Sequence, residues 1–146
     1  MTPPQPRVDG CSLDIFMNTP RLLKPMAVAA VVFGALTVFS GARALFGDAM
    51  ARAAMGNTVG FVLWFNFLAG FAYVAAGLGL WLGHPWARHL AMGLALATAL
   101  VAAAFAVHVM GGGAFEMRTV GALALRLGFW VVVAALAHRA LKAPRA

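Results

Sequence analysis

Charge is what this sequence has least of. Of its 146 residues 10% are charged, and 4 are Asp or Glu. An average soluble domain carries about 25% charged residues, so too few polar groups are present to cover a water-facing surface. A single cysteine and four histidines without ligand spacing exclude a disulfide scaffold and a zinc module. No GxSxG elbow, Walker A loop or pair of carboxylates within one apolar run occurs, and no catalytic residue is assigned. The internal repeats and interrupted helices expected of a transporter are also missing. What is abundant is apolar: 63% of residues are hydrophobic and the mean hydropathy is +0.88. The 11 Lys and Arg give a formal net charge of +7. They are scattered among apolar runs, so they read as membrane topology rather than nucleic-acid binding.

A helix crossing the roughly 30 Å hydrocarbon layer needs about 20 apolar residues. Four stretches qualify, at 26–46, 58–82, 86–110 and 119–141. Gly47-Asp48 opens the first loop, and Asn57-Thr58 and Thr119 are candidate caps for the second and fourth spans. Gly83-His84-Pro85 reads as a tight turn with Pro85 opening the third span, and Gly111-Gly112-Gly113 ends it. Connections this short predict an all-α, up-down four-helix bundle in the membrane. Residues 1–25 read as a Pro-rich, disordered cytoplasmic tail and 142–146 as a cytoplasmic C-terminal tail. Within the former, Leu13, Ile15, Phe16 and Met17 are candidates to dip into the interface.

With both ends cytoplasmic, Arg7, Arg21, Lys24, Arg88, Arg139, Lys142 and Arg145 lie inside, against Arg43, Arg52 and Arg118 outside. That asymmetry predicts N-in and C-in orientation. The run from Met26 to Phe39, followed by Ser40-Gly41-Ala42-Arg43-Ala44, imitates a cleavable signal. The long Pro-containing segment before it favours a retained helix. Small residues at four-residue spacing mark packing faces in lipid. Ala91, Ala95, Ala99 and Ala103 in the third span, with Ala75, Gly79 and Gly83 in the second, predict that these two form the tightest seam.

An ionisable side chain within a span costs at least about 2.5–3.5 kcal/mol near the centre and is a functional candidate by default. Arg126 lies seven residues beyond Thr119, roughly 10 Å deep at a rise of ~1.5 Å per residue. Asn66 has a similar depth, His108 and Arg43 lie near outer ends, and Glu116 is in the loop above. Tyr73 shares a face with Asn66 two turns away. Thr98, Phe105 and His108 share a face of the third span. Two accounts of this cluster compete. In the favoured, structural one, Arg126 snorkels or pairs with Glu116, and Asn66 bonds across the bundle. In the functional one, Arg43, Asn66, His108 and Arg126 line a pocket for an anionic or carbonyl-bearing ligand, a quinone headgroup being the membrane example. Haem and metal are disfavoured: His84, His89 and His138 fall near the inner boundary, and no HxxxH or ExxH spacing occurs.

The stretch Gly70-Phe71-Ala72-Tyr73-Val74-Ala75-Ala76-Gly77, continuing Leu78-Gly79-Leu80-Trp81-Leu82-Gly83, resembles the DoxX-like family of small four-helix bacterial membrane proteins in its glycine spacing. Arg21 and Gly41 match loosely, and Tyr73 stands where that family has an acidic residue. The resemblance implies an inner-membrane protein in or near electron transfer involving quinone or thiol chemistry. The reading from the residues themselves is a non-enzymatic accessory or interaction subunit, in the bilayer with a membrane-protein partner or as a homo-oligomer. The alternative is a DoxX-like redox component binding a quinone-type ligand near the outer face.

Overall fold

The computed structural model describes residues 11–142, with side chains from 21 to 141. Of the expected tails at 1–25 and 142–146, residues 1–10 and 143–146 lie outside the described residues, as do the side chains of Leu13, Ile15, Phe16 and Met17. The described chain is helical: α1 (Cys11–Phe46), α2 (Ala49–Ala53), α3 (Gly60–Trp81), α4 (Pro85–Met110) and α5 (Met117–Lys142). Four of these, from Arg21–Phe46, Gly60–Trp81, Pro85–Met110 and Met117–Leu141, are long and apolar enough to cross a membrane. By length and composition this is a multi-pass membrane protein. Helix α1 starts well before the expected span and runs through Pro20 and Pro25. Each proline removes one amide from the helix ladder without ending it.

The helix ends follow local chemistry. Asp48 caps α2, its Oδ1 accepting from the amide of Ala51 at 2.7 Å. At the end of α3, Gly83 has φ of 68°, a left-handed conformation that glycine adopts without strain. There the His84 amide donates to Gly79 O and the Gly83 amide to Leu80 O, a Schellman arrangement that satisfies the last carbonyls. Pro85 then opens α4. The same pair of bonds closes α4 at Gly112 and Gly113, onto Val109 and His108. The expected caps at the other two starts are not used. Val59 precedes α3 without a side-chain bond, and α5 begins before Thr119, at Met117.

Helix α1 packs against α3 and α5, and α4 packs against α3 and α5. The most extensive seam is α1 on α3, not the expected one between α3 and α4. The reason is glycine on both backbones. A Cβ on Gly34 would stand 2.8 Å from Gly70 O, and one on Gly77 would stand 2.8 Å from Ala27 O. Without side chains at these crossings the two backbones touch, which is how helices gain van der Waals contact in lipid. The alanine stripe of α4 is buried at Ala91 but exposed at Ala103, and Ala75 of α3 is exposed. These residues therefore do not form one continuous interface.

The interior is made of small residues around a few large rings. Ala27, Ala30, Ala69, Ala76, Ala87, Ala91 and Ala137 surround Tyr73, Leu80, Trp130 and Val133. Large apolar side chains instead point outward, among them Leu36, Leu68, Leu96, Leu100 and Leu125, each at least 60% exposed. That inversion of the soluble pattern is what a lipid solvent permits. A second, smaller cluster of Val59, Val62, Phe105 and Leu123 packs the loop end of the bundle.

Candidate functional site

The polar residues of the spans do not form one cluster. They fall into three places near the end of the bundle that carries α2.

The first is a cavity of about 290 Å³ between α1, α3 and α5. Helix α1 contributes Thr37, Ser40, Gly41 and Ala44, α3 contributes Leu63 and Asn66, and α5 contributes Arg118, Thr119, Ala122 and Arg126. Met55 and Thr58 complete the lining from the connection between α2 and α3. Thr37, Ser40, Gly41 and Ala44 recur at three- and four-residue steps, as do Thr119, Ala122 and Arg126, so each set forms one face of its helix. Arg126 Nε and Asn66 Oδ1 are buried without a hydrogen-bond partner. One is an obligatory donor and the other an acceptor. No carboxylate lines the cavity, so its two guanidinium groups meet no counter-charge there. The guanidinium carbon of Arg126 sits 5.6 Å from the centroid of Phe33, a cation–π arrangement. Phe33 in turn lies 5.3 Å from the ring of Phe129, so aromatic side chains of α1 and α5 meet beneath Arg126, outside the cavity lining.

The second place is the loop end. Glu116 Oε1 accepts from the Asn57 amide at 3.0 Å, and Arg118 donates to the carbonyls of Ala54, at 3.1 Å, and Met55. Arg118 thereby meets the carbonyl end of α2, where a cation is favoured. Glu116 thus braces a loop rather than pairing with Arg126. Glu116 is half-buried, and replacing it with alanine is expected to lower stability by up to about 1.5–3 kcal/mol, the value of a hydrogen bond to a charged group. Exchange of the Asn57 amide should accelerate roughly tenfold or more, the consequence of losing a bond to a charged group worth ~1.5–3 kcal/mol. Hydrogen–deuterium exchange resolved at Asn57 checks this, and unchanged exchange would mean the brace does not form in the bilayer.

The third place holds His108. Its Nε2 lies 3.3 Å from Ala114 O, and its ring meets Phe61 edge-on at 6.4 Å. It lines a separate 380 Å³ cavity with Asn57, Thr58, Val59, Gly60, Phe61 and Ala114. A Cβ on Gly113 would collide with the imidazole, so the glycine run folds back over the ring, and His108 does not line the Arg126 cavity. Arg43 is exposed, 5.9 Å from the Phe39 ring, and is not in the lining of the Arg126 cavity. Tyr73 lies deeper, fully buried between Phe33 (5.9 Å, parallel) and Trp130 (4.8 Å).

Of the six residues read as candidates, the structure brings Arg126 and Asn66 to one cavity and places Arg43, Tyr73, His108 and Glu116 elsewhere. Thr37, Ser40, Thr58, Arg118 and Thr119 were not singled out by sequence reasoning. Their signal is the small-and-polar periodicity on the ends of α1 and α5, which competes with their ordinary readings as caps and topology charges. Among the described residues no group of three or more His, Cys, Asp or Glu gathers. Compared with known protein families, curated proteins and solved structures, the chain matches none.

Proposed function

We propose that this chain is a non-enzymatic accessory subunit of a bacterial inner membrane. It is an up-down four-helix bundle with both ends cytoplasmic, and it holds an anionic or carbonyl-bearing group in the cavity under Arg126. One observation carries the reading: an unpaired donor on Arg126 and an unpaired acceptor on Asn66 line the same carboxylate-free cavity. A buried polar group without a partner costs about 1–3 kcal/mol, so a ligand oxygen accepting from Arg126 would recover part of that penalty, whereas Asn66 Oδ1 requires a donor such as a ligand hydroxyl. The distribution of Lys and Arg supports the orientation, and the order of helix contacts, α1 to α3 to α4 to α5 and back to α1, supports the topology. The Gly34, Gly70 and Gly77 contacts support retention of α1, because its removal would strip α3 of its largest partner. The apolar outer faces leave room for a membrane-protein partner or a second copy of the chain.

The test is to purify the full chain in mild detergent and identify by mass spectrometry what is extracted with it. An acidic or carbonyl-bearing compound should accompany the wild type, be depleted roughly tenfold or more in Arg126→Leu, and persist in Arg43→Gln, which lies outside the lining. A wild-type extract lacking any such compound, or equal recovery from Arg126→Leu, would overturn the reading.

A second reading is favoured by the same pair of groups. A quinone in the cavity, its carbonyl accepting from Arg126 or the hydroxyl of its reduced form donating to Asn66 Oδ1, would make the chain a redox component like that implied by the DoxX-like resemblance. A quinone absorption band in the same extract, bleached on borohydride reduction, selects this reading over a saturated acidic ligand.

A further inference from the structure

The walls of the Arg126 cavity are uneven, and the unevenness indicates where a ligand enters. Of the neighbouring pairs among the four long helices, α1 and α5 touch least. Below the cavity they are joined by Phe33 and Phe129, with Arg126 over the Phe33 ring. Above these rings the lining residues of the two helices, other than the two arginines, are small: Thr37, Ser40 and Ala44 on α1, and Thr119 and Ala122 on α5, while Gly41 turns to Phe67 of α3. Ser40 lines the cavity and is also exposed on the outside of the bundle. It shares a face with Leu36, four residues earlier, which is 62% exposed. Across the seam, Gly121 and Leu125 are exposed in the same way, and a Cβ on Gly121 would meet nothing within 4 Å. At the loop end, by contrast, Arg118 and Met55 both line the cavity and are bonded to each other, so a hydrogen bond crosses that exit. Ser40 lies six residues before the end of α1, about 9 Å along the axis, at the depth of lipid rather than of bulk water.

We propose that the α1–α5 seam above Phe33 and Phe129 is a lateral entrance from the bilayer, through which the cavity takes the acidic headgroup of a membrane amphiphile. This rests on the reading of the cavity as an anion site and adds the ligand's class and its route. The headgroup oxygens meet Arg126, Arg118 and the hydroxyls of Thr37 and Thr119, the Ser40 hydroxyl being donated to Thr37 O at 3.2 Å, while the acyl tail stays outside along Leu36 and Leu125. A free anion such as inorganic phosphate shares the headgroup chemistry but lacks the tail, and would have to pass the Arg118–Met55 bridge.

The test uses the full chain in nanodiscs of phosphatidylcholine containing a minor fraction of phosphatidylglycerol. Native mass spectrometry reads the lipids retained after ejection, and calorimetry with inorganic phosphate is run on detergent-solubilised protein. The variants are Arg126→Leu and Arg126→Gln for the anion contact, and Ser40→Trp and Ser40→Leu for the seam. Ser40 is exposed, so the smaller of its two substitutions keeps the fold where the larger perturbs it, and elution volume and melting point verify each variant. Expected is retention of phosphatidylglycerol over phosphatidylcholine, reduced about tenfold or more in both Arg126 variants, as a lost charged contact predicts. Both Ser40 variants should reduce it as well. If they leave lipid retention intact while the Arg126 variants abolish it, the lateral entrance is wrong and the anion site stands. If inorganic phosphate binds and phosphatidylglycerol is not selected, the amphiphile is wrong and the anion site again stands. If neither ligand depends on Arg126, both readings fall.

Discussion

Substituting Gly34 with alanine is expected to lower the stability of the bundle by about 1–3 kcal/mol, the usual cost of forcing extra carbon into a packed interior. The substitution adds one methyl to a residue in mid-helix, where alanine is otherwise preferred over glycine by ~1 kcal/mol. Packing overrides that preference here. The new Cβ would stand 2.8 Å from Gly70 O and 2.9 Å from the Val74 amide nitrogen. Both are backbone atoms, so no rotamer change relieves the contact and α1 must move off α3. Gly77→Ala repeats the experiment on the other helix, against Ala27 O at 2.8 Å. Leucine at either site should prevent the seam from closing. Gly93 provides the control, because a Cβ there meets nothing within 4 Å, and Gly93→Ala should be neutral or slightly stabilising. Thermal unfolding in detergent reads the difference, at roughly 2–4 °C per kcal/mol for a chain somewhat larger than this. Equal melting points for Gly34→Ala and Gly93→Ala would show that α1 and α3 are not in backbone contact.

The same seam shows which parts of the fold the sequence carries openly. Runs of about 20 apolar residues have no alternative reading in water, so the four spans were legible. So were the ends marked by Gly83-His84-Pro85 and Gly111-Gly112-Gly113, where turn chemistry is local. Which helices meet was not legible. Alanine lies on every face of these helices, and a stripe such as Ala91, Ala95 and Ala99 looks like an interface whether or not a partner lies against it. Gly34 stands alone among Val, Phe and Leu, and becomes an interface residue only because Gly70 lies opposite. The caps failed for a related reason. Thr58 and Thr119 have the side chains a helix start uses, but both line the Arg126 cavity instead. Arg126 and Asn66 were visible because polar atoms are costly in apolar runs. Their sharing of one cavity, and the diversion of His108 to Ala114 O, depend on the loop path after Gly112 and on no spacing along the chain.

Beneath the cavity, truncating Trp130 to alanine should be the most damaging single change in the core, at ~3–5 kcal/mol. The indole is fully buried, 4.8 Å from the Tyr73 ring and edge-on to Phe129 at 5.4 Å, and the alanines around it have no atoms to refill the space. The polar atoms of this ring stack predict the opposite sign for gentler changes. Trp130 Nε1 and the Tyr73 hydroxyl are both buried without a partner, while the nearby Thr98 hydroxyl already donates to Leu94 O at 2.7 Å. Tyr73→Phe removes an unsatisfied group and keeps the ring, so it should raise stability by about 1 kcal/mol or leave it unchanged. A loss of ~1 kcal/mol or more would instead show that the hydroxyl is bonded inside the bundle. Trp130→Phe trades lost volume against removal of the unpaired N–H and should fall between the two. The series also separates stability from binding. Tyr73 stacks on Phe33, and Phe33 supports the Arg126 guanidinium, so the ring column positions the cation without touching the ligand. Trp130→Ala should therefore weaken ligand retention along with stability, whereas Tyr73→Phe, which preserves the stack, should leave retention at the wild-type level. Retention that survives Trp130→Ala would mean that Arg126 is held by the cavity walls alone.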